Sequence, residues 1–506
     1  MKQSVEEALI SLGNFGTLQL ITTAVFSLYQ FIACVVAFSV SITLKVPDWE
    51  CATEKCTDIL RDNKADRLTA FCQLNPSDYK WADRTNIATE YSVFCSTAYL
   101  AALSISYYFV GYAVGTTSLG VLADRYGRKR VVVPVLLIYT GITGLVASST
   151  SYHQFLLLRG ISGMLHGGLQ NVTHVLQAEL IPPKYRNACN TMKEGMFGFG
   201  LSISAVMLYY ITSWRLQFVI LCVLLGICAV IVQTMLPESP FYYAGKGDMD
   251  RALISLQKIS LTNKVPLPHT LILERPTKPG TTTSSESIFG ILHVSMVRKL
   301  GVVSLFYAFF TMALLLYCLS YHVSAVPGDV YNNSFLMGLT SVPAYYWLYR
   351  YGDKLGRKKC LINLYMLTVC SLLVAWCDSR GTALFHTVTV QLLAFVTARS
   401  CMLAIASLMY LYTSELYPSS ARSGLVGLSS MIARAGAILS SYVLVLDTYD
   451  PSLVYIICVV AAVLALVLLA RLPDTTGIQL PQTFGECDAL FQGQVGGPVE
   501  DLSRMA

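Results

Sequence analysis

Long apolar stretches separated by short polar or charged turns dominate this 506-residue sequence. A hydrocarbon layer about 30 Å thick is crossed by roughly 20 apolar residues in helical conformation. The pattern therefore predicts an all-α membrane protein with twelve membrane-spanning helices. The predicted spans are residues 16–43, 96–122, 131–149, 155–181, 189–211, 216–236, 299–320, 333–350, 361–377, 383–411, 424–446 and 453–471.

A charged turn occurs twice between apolar stretches. It reads Gly-Val-Leu-Ala-Asp-Arg-Tyr-Gly-Arg-Lys-Arg at 120–130, and Asp-Lys-Leu-Gly-Arg-Lys-Lys follows at 353–359, 229 residues later. Two more matches share an offset of 236 residues: Glu-Leu-Ile-Pro with Glu-Leu-Tyr-Pro, and Leu-Pro-Glu-Ser with Leu-Pro-Asp-Thr. Two matches at one offset predict a duplication of six helices, which is typical of one class of secondary transporter.

The duplication divides the chain into four predicted regions. Residues 1–236 form the first six-helix bundle, which includes a long outer loop at about 44–94. A polar linker at 237–298 follows and contains a helical pattern near Asp248–Ile259. Residues 299–472 form the second bundle, and 473–506 form a tail.

Composition narrows the class of protein. The chain is 54% hydrophobic and 13% charged, whereas soluble proteins carry about 25% charged residues. The net charge of +6 is modest and its basic residues stand at loop ends, so nucleic-acid binding has no support. The first apolar run is too long for a secretory signal and is assigned to a membrane helix.

Basic residues predict the orientation. The loop at 124–130 holds four Lys/Arg and the loop at 350–359 holds five, while the short loops on the opposite face hold almost none. Both termini and the linker are therefore expected in the cytoplasm, and we expect a multi-pass protein of the plasma membrane. The long outer loop contains Cys51, Cys56, Cys72 and Cys95, for which three disulfide pairings and free thiols all remain open.

Several motifs resemble those of one transporter family. They are the 120–130 turn, Pro-Glu-Ser-Pro at 237–240, Tyr-Thr-Ser-Glu-Leu-Tyr-Pro at 412–418 with Arg422, and Leu-Pro-Asp-Thr-Thr-Gly-Ile-Gln-Leu-Pro-Gln-Thr at 472–483. With these motifs the chain resembles the major facilitator superfamily, and more narrowly its organic cation, organic anion and carnitine transporters. It departs from that family in a shorter outer loop and in Phe241, where an arginine is expected.

The charged turns contain candidate gating residues. Gly127 permits a tight turn at positive φ, and Asp124 can lie against a helix N-terminus. The resemblance implies that charges at the helix ends close the cytoplasmic side in one state and separate in another. The alternative is a purely topological role with contact to lipid headgroups. The gating candidates are Asp124, Gly127, Arg128, Glu179, Arg186, Asp353, Gly356, Arg357, Glu415 and Arg422.

Arg399 and Arg434 lie inside predicted spans, where a charge costs a few kcal/mol unless it faces protein or water. Guanidinium groups that face a cavity would bind a carboxylate or sulfate bidentately. Snorkelling or an internal ion pair is the alternative. In the family that the chain resembles, anion and carnitine members carry arginine at position 434 and cation members carry an acid.

Other candidates are aromatic or acidic. Tyr307, Phe310, Tyr346 and Tyr410 offer rings for apolar groups or quaternary ammonium, although packing is the alternative for each. Glu194 enters as a candidate acid, and its neighbour Lys193 is expected to point elsewhere because adjacent helical residues diverge. A further helical face, formed by Arg159, Gly163, His166 and Gln170, favours packing and substrate contact equally.

These patterns favour a transporter of organic anions or carnitine-like zwitterions that works by alternating access. The alternatives are an organic cation carrier with Glu194 or another buried acid as partner, and a non-transporting receptor on the same fold. The sequence contains no Walker A motif and no enzymatic, metal or cofactor constellation. The expected partners are a small organic ion and the lipid bilayer, the expected state is a monomer, and the coupling ion is left open.

Overall fold

The computed structural model of the chain describes most of the sequence. The described residues are 2–3, 5–12, 15–44, 49–54, 56–57, 71–75, 77–81, 86–266, 272–273, 296–326, 328–379, 388–417, 419–448 and 450–475. They form two compact units, Met1–Pro276 with Val330–Phe335 and Thr277–Asp329 with Leu336–Ala506.

Helices account for nearly all of the regular structure described. Those up to the linker are α1 (Val5–Ser11), α2 (Thr17–Thr43), α3 (Ile87–Glu90), α4 (Tyr99–Tyr126), α5 (Arg128–Ala147), α6 (Tyr152–Leu180), α7 (Pro183–Tyr210), α8 (Trp214–Met235), α9 (Pro240–Gly245) and α10 (Met249–Asn263). The later ones are α11 (Met296–Tyr321), α12 (Val330–Leu339), α13 (Ser341–Leu355), α14 (Arg357–Ser379), α15 (Val388–Leu416), α16 (Ser419–Val445) and α17 (Pro451–Ala470).

Every predicted span coincides with helix in the described part of the chain, so the twelve-helix membrane fold is confirmed. Within that part, nine helices are long and apolar enough to cross a membrane by length and composition. The remaining spans are α6 and α7, which carry several polar side chains, and the pair α12–α13, whose helices have only 10 and 15 residues. Polar residues in such spans must be satisfied inside the protein, because lipid offers no hydrogen bonds.

The two units repeat the same helix pairs. In the first, α2 packs against α7, α5 against α8, and α4 and α5 against α6. In the second, the corresponding pairs are α11 with α16, α14 with α17, and α13 and α14 with α15. The duplication predicted from short motifs therefore extends to the packing of whole helices.

Glycines bring α4 and α6 into close contact. A Cβ atom at Gly115 would overlap the carbonyl oxygen of Met164, and one at Gly163 would overlap that of Tyr108. Gly111 and Gly167 make the same kind of close approach. Small residues allow membrane helices to approach until their backbones touch. Of the helical face formed by Arg159, Gly163, His166 and Gln170, Gly163 therefore packs against α4.

The eighth predicted span was expected to be one helix over 333–350 and is two. Its first part starts earlier, at Val330, and the helix is interrupted at Thr340. Pro343 explains the break, since proline lacks an N–H group and its ring clashes with the carbonyl four residues before it.

The N-terminus of α2 is capped by the linker helix α10. Asn263 accepts a hydrogen bond from Leu18 N at 2.9 Å and donates to Leu12 O at 3.2 Å. Strands β1 (Lys2–Gln3) and β4 (Ile272–Leu273), which both belong to the first unit, pair in parallel. The helix predicted near Asp248–Ile259 is thus present and ties the linker to the first bundle.

The described part of the outer loop contains a small aromatic core. Strands β2 (Trp49–Cys51) and β3 (Tyr79–Trp81) pair antiparallel, and Trp49, Cys56 and Phe71 are buried between them and Phe94. The disulfides join Cys51 to Cys56 and Cys72 to Cys95. One of the three possible pairings is thereby selected, and the free-thiol alternative is wrong for these cysteines.

The glycine contact between α4 and α6 gives a prediction for stability. Gly115→Ala places a methyl group against a backbone carbonyl that cannot move alone, so we expect a loss of about 1–3 kcal/mol in the free energy of unfolding. Gly141→Ala is the matched control, because nothing lies within 4 Å of the position of its added Cβ. Thermal unfolding in detergent compares the two, and equal melting temperatures would contradict the proposed contact.

Candidate functional site

The first charged turn is held by an ion-pair cluster. Gly127 adopts φ +112°, in the region that was expected for it. The Arg128 guanidinium lies 3.2 Å from an oxygen of Asp124 and 3.2 Å from an oxygen of Glu179. The Asp124 side chain is 75% exposed, whereas those of Arg128 and Glu179 are largely buried. The turn between α4 and α5 is thus tied to the end of α6.

The second charged turn repeats these contacts. Gly356 adopts φ +87°, and Arg357 Nε lies 3.2 Å from Glu415 Oε1. Thr475 donates to the other oxygen of Glu415 at 2.8 Å, as Ser239 hydrogen-bonds to Glu179 in the first unit. The side chains of Asp353 and Arg422 lie outside the described part of the structure.

Arg186 closes the turn between α6 and α7. Its Nε donates to the carbonyl oxygens of Ala178 at 2.8 Å and Ile181 at 3.0 Å, and its Nη1 lies 3.1 Å from Glu6. The guanidinium therefore satisfies carbonyls at the end of α6, which lack helical partners, and ties α1 to this end of the bundle.

Glu238 is a functional candidate that sequence reasoning missed. Its carboxylate accepts from the backbone N–H groups of Lys129 at 2.9 Å and Arg130 at 3.2 Å, at the N-terminus of α5. A Cβ atom at Gly127 would lie 2.6 Å from the same carboxylate. Negative charge is stabilising at a helix N-terminus. The signal was the acid in the Leu-Pro-Glu-Ser motif at 236–239, which the sequence analysis uses for the duplication and the family resemblance without giving the acid a role.

Arg434 lies on α16 and is partly buried. Its Nη1 donates to the hydroxyl oxygen of Tyr317 on α11 at 3.1 Å. Two residues later, a Cβ atom at Gly436 would overlap the carbonyl oxygen of Phe310. This glycine brings the two helices together and places the guanidinium within reach of the aromatic residues of α11.

Three of the four predicted aromatic residues lie on helices that pack around Arg434. Tyr410 on α15 donates to Ser430, which is one helical turn before Arg434, at 3.4 Å. Its ring lies 5.1 Å from that of Phe309, and the rings of Tyr307 and Phe310 are 6.4 Å apart. Tyr346 lies on α13 instead, with 67% of its surface exposed.

Arg399 has a different environment. It is 2% exposed, and its Nη1 donates to the carbonyl oxygen of Met337 at 2.5 Å and to Ser341 at 3.3 Å. Its Nε donates to Ser320 at 3.1 Å. The guanidinium is thereby held at the break between α12 and α13, where helix carbonyls have lost their usual donors.

Lys193 and Glu194, which are adjacent on α7, were expected to point in different directions. Glu194 Oε1 accepts from Gln170 at 3.3 Å and lies 4.0 Å from Lys193 Nζ, so the expectation that Lys193 and Glu194 cannot pair is wrong. The lysine chain is long enough to reach back to its neighbour. Lys193 is fully buried, whereas the Glu194 side chain is 27% exposed.

Arg159 is fully buried in the first unit. It donates to the carbonyl oxygens of Val36 at 2.8 Å and Ala37 at 3.3 Å, and its guanidinium lies 4.5 Å from the Tyr108 ring centroid. These contacts support the packing interpretation of its helical face. Among the residues described, no three His, Cys, Asp or Glu side chains gather closely enough to hold a metal ion.

Comparisons with known proteins agree with this architecture. The family model described as Major Facilitator Superfamily matches residues 85–350. The human organic cation/carnitine transporter 2 is 29% identical over 407 residues, which cover 79% of this chain and 72% of that protein. The Solute carrier family 22 member 15-like protein of Xenopus laevis is 25% identical over 485 residues, which cover 95% of each chain.

A solved structure shares the fold. The inward-open conformation of the xylose transporter XylE from E. coli aligns with a TM-score of 0.64 at 15% identity. The alignment covers 94% of this chain and 99% of that one. At this identity the likeness shows the fold alone.

The repeated ion pairs give a second prediction. A double-mutant cycle with Arg128→Ala and Glu179→Ala should yield a coupling energy of about 0.5–3 kcal/mol, as should the cycle with Arg357→Ala and Glu415→Ala. The Arg251–Asp248 pair is the control, since its side chains are 59% and 36% exposed and such pairs contribute about 0.5 kcal/mol. The free energies of unfolding of the purified variants give the three coupling energies. Equal coupling energies in all three cycles would refute the prediction that the two gate pairs are coupled more strongly than the exposed pair.

Proposed function

The chain belongs to the major facilitator superfamily, and on that premise we propose that it is a secondary transporter of small organic ions that works by alternating access. The family match, the duplicated bundles and the relatives named as transporters support this proposal. The charged turns with Arg128–Glu179 and Arg357–Glu415 would act as gates on the cytoplasmic side. We assign the cytoplasmic side from the basic residues of the short loops. In this proposal the protein lies in the plasma membrane, with both termini in the cytoplasm.

The substrate we propose carries a carboxylate, and Arg434 would bind it. This guanidinium is partly buried beside the hydroxyl of Tyr317 on α11, which also carries Tyr307 and Phe310, and Tyr410 on α15 donates to Ser430 of α16. A planar guanidinium matches a carboxylate in a bidentate geometry. Aromatic rings attract quaternary ammonium and pack against apolar groups. A carnitine-like zwitterion, which has both a carboxylate and a quaternary ammonium group, satisfies both kinds of partner.

Arg399 has a supporting role in this proposal. Its bonds to Met337, Ser320 and Ser341 fix the break in the eighth span, so it would position α12 and α13 and leave the carboxylate to Arg434. Arg399→Lys keeps the charge but loses the forked geometry, so it should lower thermal stability and transport together.

The substrate assignment is tested with Arg434→Ala in reconstituted liposomes. Truncating one partner of a buried charge pair costs about 2–5 kcal/mol, which corresponds to a loss of at least about 30-fold in kcat/KM for a carboxylate substrate. Labelled carnitine and para-aminohippurate are the substrates. Arg434→Lys should fall between wild type and alanine, because an ammonium binds without the bidentate geometry.

Arg471→Ala is the matched control, since Arg471 is exposed after the last helix. It should leave uptake unchanged, and the amount of folded protein in each liposome preparation is measured by size exclusion. Unchanged carboxylate uptake by Arg434→Ala, at equal protein, would overturn the assignment of the binding residue. Failure of the wild type to move any organic ion would favour a non-transporting receptor.

Glu194 supports the organic cation alternative, because its side chain is acidic and 27% exposed. In the cation alternative, tetraethylammonium uptake exceeds carnitine uptake and Glu194→Gln abolishes it. We expect instead that carnitine uptake exceeds tetraethylammonium uptake and that Glu194→Gln retains most carnitine uptake. Gln170→Ala, which removes a hydrogen-bond donor to Glu194, controls for loss of local structure.

A further inference from the structure

A cavity of about 450 Å³ lies in the first unit beside the ends of two membrane-spanning helices. Its walls are the first two turns of α5, the last turn of α8, the segment that follows α8, and one face of the linker helix α10. Neither the proposed gates nor the proposed substrate site uses this cavity.

The cavity is strongly cationic. Four of its lining residues, Lys129, Arg130, Arg251 and Lys258, carry positive charge, and Glu238 carries the one negative charge among the lining residues described. Glu238 is 8% exposed, and its carboxylate already accepts three backbone N–H groups at the start of α5 and at Ser239. Its charge is therefore stabilised at the helix terminus. Arg251 also lies 3.3 Å from Asp248, in an exposed pair outside the lining, so the cavity wall retains an excess of cations.

Two ammonium groups share one acceptor in this wall. Leu236 O accepts from Lys129 Nζ at 2.8 Å and from Lys258 Nζ at 3.2 Å. Like charges held so close repel each other, and an anion placed between them would be attracted by both. Each ammonium has three donors, of which two are bonded to carbonyl oxygens of 233–236 in the described residues. One donor of each ammonium therefore remains for a ligand, and both lysines line the cavity.

The exposed face of α10 alternates cations with apolar residues. Arg251, Ile254, Lys258 and Leu261 follow one another at helical spacings of three and four, so they share one face. Ile254 is 61% exposed and Leu261 is 79% exposed, while Ala252, Leu256 and Ile259 on the opposite face are buried in the unit. A face that combines exposed cations with exposed apolar side chains matches a phospholipid, whose anionic headgroup attracts cations and whose acyl chains contact apolar groups.

We propose that this cavity binds the phosphate-bearing headgroup of an anionic phospholipid from the adjacent leaflet. The headgroup phosphates would be bound by Lys129, Arg130, Arg251 and Lys258, and Ile254 and Leu261 would contact the acyl chains. Four cations favour a headgroup with several phosphates over one with a single charge. The leaflet is the cytoplasmic one if the proposed orientation holds, but binding itself depends on neither the orientation nor the proposed substrate.

The test uses the full-length protein purified in detergent and titrated with lipid, with occupancy read by native mass spectrometry. The probes are phosphatidylinositol 4,5-bisphosphate, phosphatidylserine and phosphatidylcholine, and the soluble arms are inositol trisphosphate and inorganic phosphate. We expect the first lipid to bind most tightly and phosphatidylcholine not to bind above background. Each cation removed should weaken binding about fivefold at low salt, so Arg251→Gln combined with Lys258→Gln should weaken it about 25-fold.

Matched variants keep the result interpretable. Lys246→Gln removes an exposed cation of the same segment outside the cavity and should bind as wild type does. Arg251→Gln alone removes a largely exposed side chain, so it tests the site even if Lys258→Gln loosens α10. Lys258→Arg keeps the charge and should keep binding. If Arg251→Gln and the Arg251→Gln, Lys258→Gln double variant bind the lipid as tightly as Lys246→Gln does, the proposed site is wrong. If inositol trisphosphate binds as tightly as the lipid, the site does not require a phospholipid.

Discussion

Charge inside a low-dielectric interior is the constraint on which the rest of this structure depends. Arg159 and Arg399 are almost completely buried, and each is held by main-chain carbonyl oxygens. Carbonyls can bind a guanidinium without the second desolvated charge that a carboxylate would bring. For Arg399 the acceptor is the carbonyl of Met337 in the last turn of α12, next to the break in the eighth span at Thr340. A helix break and a buried cation thus stabilise each other.

The same constraint explains why the charged motifs occur twice. Each half ends its fourth span with a glutamate that binds an arginine from the start of the third span and a hydroxyl from the residues after the sixth. None of these groups would be stable alone at the edge of the hydrocarbon, because an unpaired charge there is costly. The arginine and the glutamate therefore occur together in both halves, because each stabilises the charge of the other.

Sequence patterns predicted the fold well and the local chemistry less well. Hydrophobic length gives the spans, and two matches at one offset give the duplication, because both depend on properties that the chain shows directly. The break at Thr340 was missed because a proline among apolar residues does not interrupt a hydropathy pattern. The cap that Glu238 makes at α5 was missed because it joins residues more than 100 positions apart. Disulfide pairing could not be chosen from four cysteines, since the pairing depends on the folded loop.

Arg399 and Arg434 show why residue type alone does not identify a binding residue. Both are arginines in apolar helices of the same unit, and the sequence offered the same interpretation for both. Arg399 meets a broken helix whose carbonyl and hydroxyl groups surround it, so an added carboxylate would have to displace several hydrogen bonds. Arg434 is partly accessible and donates to the neutral hydroxyl oxygen of Tyr317, and a bond from a guanidinium to a carboxylate is stronger than one to a neutral oxygen. The two guanidinium groups thus have different neighbours, which is the basis of the different roles that we propose for them, and close packing at Gly436 brings α11 to the helix that carries Arg434.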